Sequence, residues 1–143
     1  MNLRYLACSA LLLSAVAVVM AQQEKSQVKR EAAPPTSPVS GKEMFTSYCA
    51  SCHGKSAKGD GPASKALNSP PADLTTLAKR HGGKYPSDKV AAVLRGQTNL
   101  APHGDQEMPV WGPVFWHMSG GHEALVQQRI TNLNHYIESL QEK

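Results

Sequence analysis

The clearest pattern of apolar and polar positions lies at the C-terminal end of the chain. Between Glu123 and Gln141, Val126, Ile130, Leu133, Ile137 and Leu140 step by 4, 3, 4 and 3 residues, which draws one apolar stripe along a helix. A second stripe, Met44, Phe45 and Tyr48, follows Ser40-Gly41-Lys42-Glu43. Serine with glutamate three residues on is a capping-box pattern, so a helix is expected from there toward Cys52. Two shorter helices are expected between these. Asp73 is placed to cap one over Leu74 to Arg80, stopped by Gly82-Gly83, and Ser87 to cap another over Asp88 to Arg95, closed by Gly96. No run alternates well enough to make a strand, so the chain reads as all-α with long loops.

The first 39 residues carry neither helical period nor strand alternation. Arg4 precedes an apolar run from Leu6 to Val19, and Val19-Met20-Ala21 ends in a small residue, the layout of a signal peptide over residues 1–21. An uncleaved anchor is the competing reading, because Tyr5 to Ala21 is 17 residues long, the lower limit of the roughly 17–25 that span a bilayer. A lipoprotein signal is set aside, since the apolar run follows Cys8 instead of preceding it. Either way the folded part is exported, into a periplasmic or external compartment where thiols oxidise unless something occupies them. Gln22 to Pro38 is polar, with Pro34, Pro35 and Pro38. We read residues 22–39 as a flexible tether and residues 40–143 as the domain.

Composition adds two constraints. The length of 143 residues fits one domain, and aromatic residues at 6% make a thin side-chain core, which leaves room for a large apolar body at its centre. The net charge of +4 falls to +3 once residues 1–21 and Arg4 are removed. That is too modest a balance to favour nucleic acid as a partner. Removal of the signal also takes Cys8, so the mature chain has two cysteines, Cys49 and Cys52.

Those two lie in Cys49-Ala50-Ser51-Cys52-His53, a CxxCH pentapeptide. Residues i and i+3 share one face of a helical turn, so both thiols reach the two vinyl groups of one haem, and the adjacent His53 reaches the iron. Three other readings compete. A redox dithiol wants a βαβ context, a zinc site wants a fourth ligand, and a plain disulfide leaves His53 without a task. The covalent haem is the reading that uses all three residues.

The opposite axial ligand decides between classes of function, because an open iron binds gas or substrate whereas a closed one only changes oxidation state. Met44 is too near Cys49 to cross to the far haem face. Met118 and His117 precede Ser119-Gly120-Gly121, and His103 lies in a loop after a proline. Met108, 55 residues after His53, stands before Pro109, which keeps it extended and presents its thioether sideways. Met108 is the expected ligand, with His103 as runner-up. His81, His122 and His135 read as surface residues.

Together, the CASCH pentapeptide, the Met108-Pro109-x-Trp111 segment and the final stretch Leu133-Asn134-His135-Tyr136-Ile137-x-x-Leu140-Gln141 resemble class I c-type cytochromes. His53-Gly54, Gly59-Asp60-Gly61-Pro62-Ala63 and Pro70-Pro71-Ala72-Asp73-Leu74-Thr75 are similar to small bacterial exported monohaem cytochromes c. The resemblance spans about Gly41 to Gln141. It implies an all-α fold of about four to five helices around one haem c, with the first and last helices crossing. Gly41 and Phe45 would meet the face carrying Leu133, Tyr136 and Ile137. Gly41 then serves close approach, or alternatively only a helix start. The resemblance also implies a proline carbonyl accepting the N–H of the ligand imidazole. Pro62, nine residues after His53, is the first choice, with Pro70 and Pro71 behind it. Trp111 and Tyr85 are candidates to pack the haem or hold a propionate through their polar tips.

The function implied is electron transfer, not enzymatic catalysis. A dehydrogenase or quinol-oxidising complex would act as donor and an oxidase or reductase as acceptor. Lys55, Lys58, Lys65, Lys79, Arg80, Lys84 and Lys89 are candidates for a basic docking rim, or are simply a solvated surface. Two rival readings remain: a fixed cytochrome subunit of a membrane oxidoreductase, held through its N-terminus, and a haem protein with an open sixth site.

Overall fold

The computed structural model describes residues 33–97 and 108–142. The signal at residues 1–21, residues 22–32 of the expected tether, and His103 lie outside the described residues. All regular elements among the described residues are helical, so the chain is all-α as the apolar periods imply.

Helix α1 is one continuous rod in three parts, Gly41–Met44, a π-turn over Phe45–Cys49, and Ala50–His53. Ser40 caps it, its hydroxyl accepting from the Glu43 N–H at 3.2 Å. The glutamate completes the cap one turn further out than the capping box requires, accepting from Ser37 N–H at 3.3 Å. Helix α2 covers only Leu77–Arg80. Asp73, expected as its cap, instead closes the preceding turn, accepting from the Thr75 N–H (2.8 Å) and hydroxyl (2.6 Å). Those two bonds, with Lys58 and Arg80 nearby, hold its carboxyl below the usual range. Helix α3, Ser87–Arg95, ends at left-handed Gly96, as expected.

Helix α4, Trp111–Met118, was not anticipated by the apolar pattern. Gly112 and Pro113 look like helix breakers, yet Pro113 falls in the first turn, where a missing N–H removes no helical bond. Helix α5, Glu123–Ser139, buries Val126, Ile130, Leu133 and Ile137, the stripe read from the sequence. Each such side chain contributes about 1.5–3 kcal/mol on burial. The helix ends two residues before Gln141, whose side chain turns back to bond the Ala78 N–H and the Leu74 carbonyl.

Helices α1 and α5 cross at Gly41. A Cβ there would lie 2.8 Å from Tyr136 Cβ and closer still to the Asn132 carbonyl oxygen. Close approach is therefore what this glycine supplies. Phe45 and Tyr136 meet one turn on, with ring centroids 5.4 Å apart. Both contacts match the crossing that the resemblance implied.

Residues 33–39 correct the expected tether. Thr36 is buried, Pro34 offers its carbonyl to the Tyr48 hydroxyl at 2.7 Å, and Pro38 offers its own to Asn132 Nδ2 at 2.9 Å. The compact unit accordingly begins at Ala33, not Ser40. This segment has no period to detect, because it is held by single polar bonds and not by an apolar face.

Candidate functional site: a CxxCH helix end and its loop

The site is built where α1 stops. Its last three carbonyls lack helical partners, and the following loop supplies them. Ala63 N–H donates to the Ser51 carbonyl (2.9 Å), Gly61 N–H to Cys52 (3.0 Å) and Gly59 N–H to His53 (2.8 Å). At Gly54 the backbone turns with φ of 78°, and an added Cβ would run into Asp60 Oδ1. A further bond, Leu74 N–H to the Ala57 carbonyl at 2.8 Å, brings the chain back past the same helix end.

That second pass delivers the partner of His53. The Ala72 carbonyl oxygen lies 3.0 Å from Nδ1. A carbonyl only accepts, so Nδ1 carries the hydrogen and the lone pair of the neutral ring is on Nε2, the arrangement of a metal-binding imidazole. Pro62, whose carbonyl was expected to accept this hydrogen, does not fill the role. It is exposed between Gly61 and Ala63, whose N–H groups both point back to α1. Pro70 and Pro71 come nearer in sequence, but the bond is made by the residue after them.

Cys49 and Cys52 are both free of disulfides. Cys49, at the end of the π-turn, is buried, and its thiol is pushed up to about 12, by burial first and by Cys52 second. Cys52 is half-buried. The π-turn adds a residue to the helical turn, and it buries Tyr48 and Cys49 side by side.

Three methionines lie within the described residues, and two have evident partners. Met44 is fully buried with its sulfur 3.9 Å from an Arg129 nitrogen. The Met118 sulfur is 3.7 Å from the Tyr48 hydroxyl oxygen, whose single hydrogen goes to the nearer Pro34 carbonyl. Met108 sits just ahead of α4, partly buried against the core. Trp111 is buried and stacks on Tyr48 at 5.0 Å and on Phe115 at 5.8 Å between centroids, a role inside the aromatic core that sequence reasoning did not foresee. Tyr85 also differs from expectation. Its hydroxyl donates to Asn134 Oδ1 at 2.6 Å, so its polar tip is directed to α5 and not to a propionate. Burial, with Glu138 second, pushes that hydroxyl's pKa upward.

Sequence reasoning missed Ala72, Thr36 and Arg129. Arg129 alone left a trace, as a charge among the inward positions of α5.

The donor set fits a haem: two thiols at helical spacing without a disulfide, and an imidazole whose ring is fixed through Nδ1. A family model described as cytochrome c matches residues 38–141. Among curated proteins and solved structures, nothing matches the chain. The matched family holds haem c covalently through CxxCH, and here Cys49, Cys52 and His53 provide that motif.

Proposed function

This chain belongs to the cytochrome c family, and from that premise we propose that it is an exported one-electron carrier with His53 and Met108 as axial ligands. Haem c supplies the one-electron couple; the chain's residues hold it and set its surroundings. Cys49 and Cys52 fix its position, and the Ala72 carbonyl orients His53 and makes it more basic. Met108 would supply the second protein ligand, which would leave no coordination position open to a substrate, and a thioether favours the reduced state.

The observation that carries this reading is the division of labour among the methionines. Met44 is fully buried beside Arg129 and Met118 lies against the Tyr48 hydroxyl inside α4, whereas Met108 stands just ahead of α4 and outside any helix, which favours its thioether for iron. The seven basic residues named above are all exposed, with Lys58 also 3.5 Å from Glu142. Their placement supports brief electrostatic docking to a dehydrogenase or quinol-oxidising donor and to an oxidase or reductase acceptor.

An optical spectrum of each oxidation state tests the ligands. The oxidised protein is expected to show the methionine-to-ferric charge-transfer band, and the reduced protein to ignore carbon monoxide. Met108→Ala should abolish the band and admit carbon monoxide, while Met118→Ala should keep the band. The opposite pattern would transfer the ligand to Met118. Carbon monoxide binding by the unaltered protein would replace the carrier reading with the open-site one.

A further inference from the structure

Arg129 is a cation in the wrong place for a soluble helix. It lies on the inner side of α5 and is only 6% exposed. One terminal nitrogen donates to the Thr36 hydroxyl at 3.0 Å, and the other to the Thr36 carbonyl at 2.9 Å. The guanidinium carbon stands 6.0 Å from the centroid of Phe115, and Nε is buried with no hydrogen-bond partner among the described residues. All of these neighbours are neutral. The ion pairs found among the described residues are Lys58–Glu142 and Arg95–Glu123, and neither involves Arg129. Hydroxyl, carbonyl, sulfur and ring hold the charge in place without cancelling it.

An arginine keeps its charge throughout the working pH range, and a buried charge is felt further than an exposed one, because neither water nor salt lies in between to screen it. Phe115, beneath the guanidinium, stacks on Trp111 and sits 6.0 Å from Tyr48. Tyr48 immediately precedes Cys49, a point of haem attachment. Two aromatic side chains in contact, Phe115 and Tyr48, therefore link the cation to the residue that precedes Cys49.

We propose that Arg129 raises the reduction potential of this protein by acting as a buried cation that no ion pair among the described residues neutralises. The oxidised centre carries one positive charge more than the reduced one, so a fixed cation nearby disfavours oxidation. Arg129 touches neither the haem nor a ligand; it acts through the field. The inference rests on the covalent haem of the family and not on Met108 being the sixth ligand.

Potentiometric titration of the haem-loaded protein tests it, with Arg129→Met, Arg129→Gln, Arg129→Lys and Thr36→Val compared at low and high salt. At the midpoint of the unaltered protein, the two neutral variants should show at least a threefold lower ratio of reduced to oxidised form, about 28 mV at 59 mV per tenfold. Arg129→Lys should stay near the original midpoint. Thr36→Val keeps the cation but removes an acceptor, so it should lower stability and leave the potential alone. The shift should persist at high salt. The proposal is overturned if the neutral variants keep the original midpoint, or if the lysine variant falls as far as they do. It also fails if the shift disappears with salt or comes with a changed axial-ligand spectrum, since a screened charge or a lost ligand would then be the cause. If Arg129→Met does not accumulate, the glutamine and lysine pair carries the same comparison. Carbon monoxide binding by the unaltered protein would defeat the closed-iron reading but leave this one testable.

Discussion

Tyr85 and Asn134 form a buried polar pair whose loss has a definite sign. The Tyr85 hydroxyl donates to Asn134 Oδ1, and the Asn134 amide donates to the Ser87 carbonyl and hydroxyl at 3.0 and 2.9 Å. Tyr85→Phe leaves the Asn134 oxygen buried without that donor, at a cost of about 1–3 kcal/mol. A lower denaturant midpoint with an unchanged haem spectrum and potential is the expected result; a moved potential at unchanged stability would restore Tyr85 to a propionate. At this scale legibility follows locality. The CxxCH spacing is readable because three residues on one helical turn define it. Ala72 was not readable, because the carbonyl that reaches His53 depends on a loop folding back twice along α1. Counting residues from His53 led to Pro62, which that same loop turns outward.

Elements were legible where an apolar face decides them. Helix α5 follows its stripe, and α1 follows its cap and stripe, though the π-turn at Phe45–Cys49 leaves no mark in either. Helix α4 was missed because Met108-Pro109 and Gly112-Pro113 look like loop punctuation, while its inward residues, Trp111 and Phe115, are too few to form a convincing period. The crossing of α1 and α5 offers a direct test. Gly41→Ala gains about 1 kcal/mol in helix propensity, but its methyl group meets backbone at Asn132 and the Cβ of Tyr136, neither of which is a flexible tip. Overpacking of this kind costs about 1–3 kcal/mol. Net destabilisation in a thermal or denaturant unfolding curve is expected, and a more stable Gly41→Ala protein would show that the helices separate freely there.

At the scale of the molecule, the boundary of the folded unit carries the final prediction. Composition places that boundary at Ser40, because the prolines and polar residues before it look like tether; the hydrogen bonds place it at Ala33. Residues 33–39 supply both oxygen acceptors of Arg129, two partners of the Tyr48 hydroxyl and the carbonyl that receives Asn132. A mature chain beginning at Ser40 would uncover a guanidinium that keeps, among the described residues, only the weak Met44 sulfur contact at 3.9 Å. Each hydrogen bond to a charged group contributes about 1.5–3 kcal/mol, and the loss of both is reduced here by water entering the opened site. A chain beginning at Ala33 should match the full mature chain in its unfolding midpoint, whereas one beginning at Ser40 should unfold at distinctly lower denaturant. Equal midpoints for all three would mean that residues 33–39 rest on the domain without stabilising it. Adding Arg129→Met to the chain beginning at Ser40 should recover part of the loss, because the buried charge that made the segment necessary is then gone.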